Sequence, residues 1–327
     1  MNILVVGGAG YVGSHAARLL EQAGHDVWVF DNLCNGHRGA VKPDRLIVGE
    51  LMDRPALVDV LRGRKIDAVM HFAAFALVGE SVTDPAKYYT NNVVASLNLL
   101  EAMRECGVRQ IVFSSTTATY GVPKTIPITE QERQEPINPY GFAKLVIERA
   151  LADYASAYGF AYAALRYFNA AGASPFGDLG EDHDPESHLI PIVLQVALGQ
   201  RAAITIFGDD YPTADGTCIR DYVHVDDLGD AHVKALGKLK PGEGLKMNLG
   251  TGVGYSVKQV IDACRQVTGH KIPTQLGARR PGDPPELVAD SRLAQQTLSW
   301  RPRYQDIESI VATAWRWHQS HPNGYDD

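Results

Sequence analysis

A glycine-rich segment near the amino terminus constrains the fold more than any other part of the chain. It reads Gly7-Gly8-Ala9-Gly10-Tyr11-Val12-Gly13, follows the apolar run 3–6 and precedes the helix-like segment 14–22. Gly7 permits a tight turn, Gly10 lets a pyrophosphate approach the backbone, and Gly13 lets the helix pack on the strand. The free N–H groups at the start of the helix attract phosphate. The segment therefore predicts a dinucleotide-binding unit, and a turn without a ligand is the alternative.

A carboxylate at the end of the second apolar run indicates which dinucleotide binds. Asp31 follows the run 27–30 and lies eighteen residues after the last glycine of the segment. A carboxylate there holds the hydroxyls of the adenosine ribose and repels a 2′-phosphate, so NAD is favoured over NADP. Asn32, Asn35 and Gly36 form a polar turn that is expected to line the adenosine. The alternative for Asp31 is a cap at the end of the strand.

Composition excludes several classes of protein. The chain has 327 residues, a formal net charge of −7 and 45% hydrophobic residues, which is typical of a globular protein with room for two lobes. The acidic balance argues against nucleic acid as a partner, and no apolar run is long enough to span a membrane. Four scattered cysteines favour reduced thiols in the cytoplasm. The histidines show no familiar ligand spacing, so we predict no metal.

Apolar runs alternate with helical segments up to about residue 169. The predicted strands are 2–6, a run ending at 31, 45–48, 68–72, 111–114 and 163–166, and the predicted helices are 14–22, 55–61, 84–106 and 139–158. This order predicts an α/β fold with a doubly wound, Rossmann-like parallel sheet whose ligand lies at the carboxyl ends of the strands. Loops rich in Gly, Asp and Pro then predict a smaller α/β substrate lobe. The expected division is 1–170 and 171–327, with some exchange of chain between the lobes.

A tyrosine and a lysine in the predicted helix 139–158 are candidates for acid–base chemistry. Tyr140 and Lys144 are four residues apart, so they are expected to share one face of the helix. Free tyrosine titrates near ~10, and an adjacent ammonium lowers the pKa of a phenol. The pair thus predicts a base that removes a proton from an alcohol. The alternative is a tyrosine that only packs under a helical lysine.

Small and polar residues follow several predicted strands. The hydroxyl of Thr116 is expected to bond both a substrate alcohol and Tyr140. Asn91 is expected to reach from the long helix into the cleft, and the small residues of Phe72-Ala73-Ala74-Phe75-Ala76 would let the cofactor pass closely. Arg166 ends the sixth strand, and a structural role is its alternative. Together these residues favour one cleft at the strand ends.

In the second lobe, arginine side chains are candidates for binding a diphosphate. Guanidinium groups bind phosphate oxygens in bidentate fashion, which points to Arg220, Arg279 and Arg280. Phe207 would stack on a flat base, and His188-Leu189 would line the same pocket. Core packing is the alternative for Phe207, and an ordinary surface position is the alternative for Arg280.

The motifs taken together resemble the extended short-chain dehydrogenase/reductase superfamily and, within it, the family of UDP-glucose 4-epimerases. The resemblance covers nearly the whole chain, and the second-lobe motifs are its most specific part. It is carried by residues 7–15, 31–36, 78–82, 114–121, 138–144, 166–173, 207–217, 220–225, 248–250 and 279–283.

The resemblance implies interconversion of UDP-glucose and UDP-galactose. It implies that Tyr140 takes the proton of the sugar 4-hydroxyl while hydride passes from C4 to tightly held NAD. The 4-keto sugar turns over, hydride returns to its opposite face, and NAD is regenerated. Lys144 would bind the nicotinamide ribose and lower the pKa of Tyr140, and Thr116 would contact the substrate hydroxyl. A homodimer through the helices 84–106 and 139–158 is also implied.

The resemblance further assigns two sets of binding residues. The cofactor set is Gly7, Gly10, Tyr11, Val12, Gly13, Asp31, Asn32, Asn35, Gly36, Glu50, Leu51, Phe72, Ala73, Ala74, Ala76, Asn91, Tyr140, Lys144 and Phe168. The set for the UDP-sugar is Thr116, Tyr140, Asn169, His188, Leu189, Phe207, Arg220, Arg280 and Asp283.

The chain departs from the family pattern at a few positions. Ala76 stands where some members have a phosphate-binding Lys, Glu50 where an Asp often touches adenine, and His188 where some have Asn. Leu287 stands where members have either Tyr or a smaller residue, so UDP-N-acetylhexosamines and UDP-pentoses stay open as substrates.

Two other functions are alternatives. A sugar-nucleotide 4,6-dehydratase needs Asp-Glu after the strand-end Thr, whereas Thr117-Ala118 stands here. A non-catalytic NAD-bound regulator would be expected to lose Tyr140, Lys144 or Thr116, and all three are present.

Overall fold

Strands and helices alternate along the chain as the apolar pattern predicts. The computed structural model describes residues 1–280 and 283–326, so positions 281 and 282 of the motif 279–283 lie outside the described residues. The strands are β1 Asn2–Val6, β2 Asp26–Asp31, β3 Leu46–Val48, β4 Ala68–His71, β5 Gln110–Thr116, β6 Ala161–Tyr167, β7 Asn169–Ala171, β8 Ile204–Phe207, β9 Ile219–His224, β10 Gly244–Leu249, β11 Gly254–Ser256, β12 Thr274–Gly277 and β13 Glu286–Leu287. The helices are α1 Tyr11–Gln22, α2 Arg54–Gly63, α3 Val78–Thr83, α4 Pro85–Tyr88, α5 Ala95–Cys106, α6 Pro139–Tyr158, α7 Leu189–Ala197, α8 Val225–Leu236, α9 Val257–Thr268, α10 Arg292–Leu298 and α11 Ile307–Ser320.

Seven strands form a parallel sheet, so their carboxyl-terminal ends all lie at the same edge. Their order is β10-β6-β5-β4-β1-β2-β3, and every neighbouring pair is parallel. The order reverses beside β1, and this is where doubly wound sheets bind nucleotides. The predicted fold class is therefore confirmed.

Alternate residues of β1 belong to different hydrophobic cores, because helices cover both faces of the sheet. Ile3 and Val5 lie in one core with side chains of α1, α8 and α10. Leu4 and Val6 lie in the other, with side chains of α2, α5 and α6. A strand buried on both faces is apolar throughout, which is why the run 3–6 shows no alternation in sequence.

One strand of the sheet comes from the second half of the chain. β10 pairs with β6 from Gly244↔Tyr162 to Leu249↔Tyr167, so the first 170 residues do not complete the sheet alone. Elements of the second half also form a separate core under α7, α9 and α11. The division into two lobes at residue 170 stays a prediction. β10 is the part of the second half that joins the sheet of the first half.

Two predicted elements differ from the structure. The helix predicted over 84–106 consists of α4, a π-helical turn Tyr89–Val94 and α5. Thr116 does not follow β5 but is its last residue, and it caps a short 3₁₀ turn by accepting the N–H of Ala118 at 3.2 Å. By contrast, α6 has the predicted bounds, because Asn138 caps it and Pro139 occupies its first position.

Candidate active site

The glycine segment forms an open cradle between β1 and α1. Gly7 has φ of +75°, and a side chain there would meet the backbone of Ala73. A side chain at Gly13 would meet the carbonyl oxygen of Gly7, so the start of α1 packs directly on the turn. A Cβ added to Gly10 would have one atom within 4 Å, the carbonyl oxygen of Gly7 at 3.6 Å. The open side of Gly10 and the free N–H groups at the start of α1 suit the diphosphate of a dinucleotide.

Asp31 lies at the end of β2, beside this cradle. Its carboxylate accepts the N–H of Ala9 at 2.9 Å and the N–H of Leu33 at 2.8 Å. Burial raises the pKa of Asp31, and the two hydrogen bonds oppose that increase. A carboxylate offers about four lone-pair positions, so acceptor capacity remains for two ribose hydroxyls. The residues present therefore fit NAD.

The other residues assigned to the adenosine lie on neighbouring turns. A Cβ on Gly36 would lie 2.9 Å from Asp31 Oδ1, so this glycine lets the turn approach the carboxylate. Asn32 Nδ2 lies 3.2 Å from both carboxylate oxygens of Glu50. Asn35 is exposed, and the carbonyl of Leu51 accepts a hydrogen bond from Asn98.

The loop 72–76 is held by a residue that the sequence analysis missed. Asn92 is fully buried in the π-helical turn, and its amide bonds both the N–H and the carbonyl of Phe75 at 2.9 Å. Asn91, which we expected to reach into the cleft, donates to Asn92 Oδ1 at 3.0 Å. The regular helical periodicity of the sequence could not predict this contact of Asn92, because the π-helical turn changes the directions in which the side chains point.

Tyr140 lies in the first turn of α6, beside the end of β5. A Cβ on Gly141 would lie 2.5 Å from the carbonyl oxygen of Ala118, so α6 begins in close contact with the turn that follows Thr116. Burial raises the pKa of Tyr140 above its ordinary value, and the side chain of Thr116 opposes part of that increase. The Thr116 oxygen already accepts the Ala118 N–H, so its own hydrogen is available for the phenolate.

Lys144 is buried one turn along α6 and is tied to β5. Its Nζ donates to the carbonyl of Ser114 at 2.8 Å and lies 5.9 Å from the centre of the Tyr140 ring. Burial lowers the pKa of Lys144 to about 7. Burial and the side chain of Thr116 shift the pKa of Tyr140 here, so the lowering of that pKa by Lys144 stays a prediction.

Strand registers connect this site to the second half of the chain. Thr116 pairs with Tyr167 at the end of β6, Phe168 lies between β6 and β7, and Asn169 pairs with Tyr222 of β9. Asn169 Nδ2 also donates to the carbonyl of Asp221 at 3.1 Å. The ends of β5 and β6 are thereby connected through β7 to β9, the strand that carries Arg220.

Four of the residues assigned to the UDP portion form two contacting pairs. Arg220 is paired with Asp283 and donates to the carbonyl of Pro284 at 2.9 Å. The Arg280 guanidinium lies 4.4 Å from the centre of the Phe207 ring, which is 40% exposed. Arg279 pairs with Asp210 at 2.5 Å, and it is not among the residues that the resemblance assigns to the UDP-sugar.

His188 and Leu189 mark the start of α7. Leu189 is the first residue of that helix, and His188 precedes it with its Nδ1 3.0 Å from Glu186 and 2.8 Å from Glu181. Within the part of the chain that the structure describes, no helix is long and apolar enough to cross a bilayer.

Comparison with known proteins places the chain in one family. The model of the NAD dependent epimerase/dehydratase family matches residues 3–250. A UDP-glucose 4-epimerase of Halalkalibacterium halodurans is 54% identical over 326 residues, which cover 99% of this chain and 98% of that protein. One from Lacticaseibacillus casei is 51% identical over 100% of this chain and 99% of its own length.

Solved structures agree with this placement. A crystal structure of UDP-glucose 4-epimerase superposes with a TM-score of 0.96 at 51% identity and covers 100% of both chains. The Brucella ovis enzyme in complex with NAD gives 0.93 at 50% identity over 96% of this chain and 97% of that one. The chain therefore belongs to the NAD dependent epimerase/dehydratase family and groups within it with the UDP-glucose 4-epimerases.

Proposed function

We propose that this protein is an isomerase of galactose metabolism that interconverts UDP-glucose and UDP-galactose with tightly bound NAD. The observation that carries the proposal is the position of Tyr140. It lies in the first turn of α6, beside the strand end that carries Thr116, at the same edge of the sheet as the glycine cradle and Asp31. Relatives at about half identity over the full length are named for this reaction.

The residues of this chain supply the proton chemistry. Tyr140, as the phenolate, removes the proton of the sugar 4-hydroxyl and later returns one to the 4-oxygen. Thr116 donates a hydrogen bond to the phenolate. Lys144 has three donors, and after the bond to Ser114 two remain for the nicotinamide ribose. When bound, NAD supplies hydride transfer to and from C4 of the sugar.

Residues of the second half hold the UDP portion. Arg220 and Arg280 bind the diphosphate, Phe207 stacks on the uracil, and Asp283 orients Arg220. Asn169, His188 and Leu189 complete the substrate pocket. Residues 1–170 thus hold NAD and contribute Thr116, Tyr140 and Asn169 to the sugar, and residues 171–327 hold the rest of the sugar nucleotide, apart from the crossing strand β10.

Two alternatives are not favoured. The turn after Thr116 carries Thr117 and Ala118, so a dehydratase would lack its additional acid and base. Leu287 pairs with Arg220 in the register of β13 and β9, which puts the residue expected to limit N-acetyl groups beside the proposed UDP site. Its intermediate size leaves the choice among sugars to the experiment, and the preference for hexoses rests on the relatives named for UDP-glucose.

The proposal predicts conversion of one substrate in preference to two others. Pure protein without added NAD is incubated separately with UDP-galactose, UDP-N-acetylgalactosamine and UDP-arabinose, and the products are analysed by NMR. We expect UDP-glucose to accumulate from UDP-galactose, with bound NAD visible by absorbance. Unchanged UDP-galactose in the presence of bound NAD would contradict the proposal, and exclusive conversion of another sugar would reassign the substrate.

We also propose a homodimer formed through the helices around α6. Tyr89 and Phe142 are 38% and 47% exposed, and their rings meet edge to face at 6.3 Å. Val82 and Val94 are likewise exposed. An apolar surface across neighbouring helices suits association with a second copy of the same surface.

Replacing Phe142 with lysine is expected to weaken this dimer about 30-fold or more, as for loss of a central aromatic contact. Sedimentation equilibrium measures the dissociation constant. Phe176→Lys is the matched control, because Phe176 is 77% exposed but lies outside these helices. A monomeric wild-type protein, or a Phe142→Lys dimer as strong as the wild type, would refute the interface.

We propose the cytoplasm as the compartment. All four cysteines are free thiols, which favours a reducing environment.

A further inference from the structure

Four potential metal ligands meet in the long segment between β7 and α7. Residues 172–188 are all described and form neither helix nor strand. Within this segment, Glu181, His183, Glu186 and His188 each offer one ligand atom, and these atoms all lie within 4.8 Å of one another. Both carboxylate side chains are only 4% exposed. The spacing is irregular and lies on a loop, which is why sequence analysis predicted no metal.

The distances between these atoms are near the edges of a metal coordination shell, although those to His188 are shorter. His188 Nδ1 lies 2.8 Å from Glu181 and 3.0 Å from Glu186. His183 Nδ1 lies 3.4 Å from Glu181 and 3.7 Å from Glu186. Tetrahedral Zn²⁺ with N and O ligands at about 2.0–2.2 Å has edges of about 3.3–3.6 Å. The two His183 distances lie within about 0.1 Å of this range, and the two His188 distances are about 0.3–0.5 Å shorter, so a bound ion requires His188 to move outward by a few tenths of an ångström.

Hydrogen bonding accounts for only part of the cluster. Glu186 Oε1 accepts the backbone N–H groups of Ser187 at 2.7 Å and His188 at 2.8 Å, which fixes that carboxylate. Glu181 Oε1 and His183 Nδ1, by contrast, are buried and make no hydrogen bond of acceptable geometry, although each lies within ion-pair distance of another member of the cluster. Buried polar atoms normally have a partner, so two of the four facing atoms lack the bonds that a purely hydrogen-bonded ion-pair network would give them.

We propose that Glu181, His183, Glu186 and His188 bind a divalent transition-metal ion, with Zn²⁺ as the preferred occupant. Imidazole and carboxylate are ligands that suit Zn²⁺. Two carboxylates and two neutral imidazoles carry a charge that balances that of the ion. Four protein ligands complete the coordination shell, as in structural sites, and the substrate contact proposed for His188 falls to its other ring nitrogen.

The ion braces the loop against the cofactor half of the protein. The His183 ring lies 6.3 Å from that of Tyr11 in an edge-to-face contact, and Tyr11 donates to the carbonyl of Gly172 at 2.6 Å. The backbone carbonyl of Glu181 also accepts the indole N–H of Trp317 at 3.3 Å. Metal binding thereby joins the glycine segment, this loop and α11.

Metal content of the full-length, tag-free protein tests the proposal without relying on turnover. After EDTA treatment, the protein is loaded with ZnCl₂ or CoCl₂, dialysed and analysed by mass spectrometry and visible absorbance. We expect about one ion per chain and the visible bands of tetrahedral Co²⁺. Content below about 0.1 ion per chain, or Co²⁺ without tetrahedral bands, would overturn the site.

Variants identify the ligands. Glu186→Gln and His183→Asn are expected to weaken Zn²⁺ binding by more than about 100-fold, since even residues that only orient ligands contribute 10–100-fold. His270→Ala, at an exposed histidine elsewhere, retains wild-type binding. Undiminished binding by Glu186→Gln contradicts the assignment. If the variants do not fold, X-ray absorption of the loaded wild type decides, because the proposal requires two imidazoles and two carboxylates around the metal.

Discussion

Replacement of Tyr140 by phenylalanine is expected to lower the rate of UDP-galactose epimerisation by about 10²-fold or more, as for removal of a general base. The change deletes one oxygen and leaves the ring, so the packing at the start of α6 is retained. NAD is expected to stay bound, because the glycine cradle and Asp31 are untouched. Rates are measured by NMR and bound NAD by absorbance.

The matched control is Tyr158→Phe at the far end of the same helix. Tyr158 is 47% exposed, so its hydroxyl is distant from the strand ends and its loss should leave the rate unchanged. A Tyr140→Phe enzyme that epimerises at the wild-type rate would show that another group takes the proton.

Replacement of Arg166 by methionine is expected to destabilise the fold by about 3–5 kcal/mol, because it leaves a buried carboxylate unpaired. Arg166 and Glu148 have side-chain exposures of 2% and 0%, and two hydrogen bonds of 2.8 Å and 2.5 Å join them. Burial alone would raise the pKa of Glu148, but its bonds to Arg166 hold that pKa below its ordinary value. Urea unfolding monitored by circular dichroism measures the loss.

Two further variants separate the buried pair from a general effect of charge. Arg149→Met, at an exposed position of α6, should change stability by less than about 0.5 kcal/mol. The double variant Arg166→Met/Glu148→Leu should recover most of the lost stability, because it removes both buried charges. Equal destabilisation in the single and double variants would mean that packing, not the unpaired charge, is responsible.

The sequence was sufficient for features set by local pattern. The apolar runs located β1 to β6, and Asn138 with Pro139 fixed the start of α6. The glycine segment and Asp31 indicated the cofactor, which the family and NAD-bound relatives bear out. These signals are strong because each is carried by a few residues that lie close together in the sequence.

Features that depend on distant contacts could not be predicted. Nothing in residues 244–249 shows that they pair with β6 rather than with another strand. Asn92 reaches the loop 72–76 only because a π-turn redirects it. The sequence left open whether Arg166 belonged to the site or had a structural role. The structure pairs it with the buried Glu148, one turn beyond Lys144, and this contact cannot be read from the sequence.

The late arrival of β10 has a consequence during protein synthesis. After β6, the ribosome must translate residues 168–243 before it reaches β10, the strand that covers the second edge of β6. At ~5–20 residues per second, the nascent sheet keeps a bare backbone edge for about 4–15 s. Such an edge readily recruits other unfolded chains, so the yield of folded protein in the cell should depend on ribosome speed and on chaperones that shield β6 until the strand arrives.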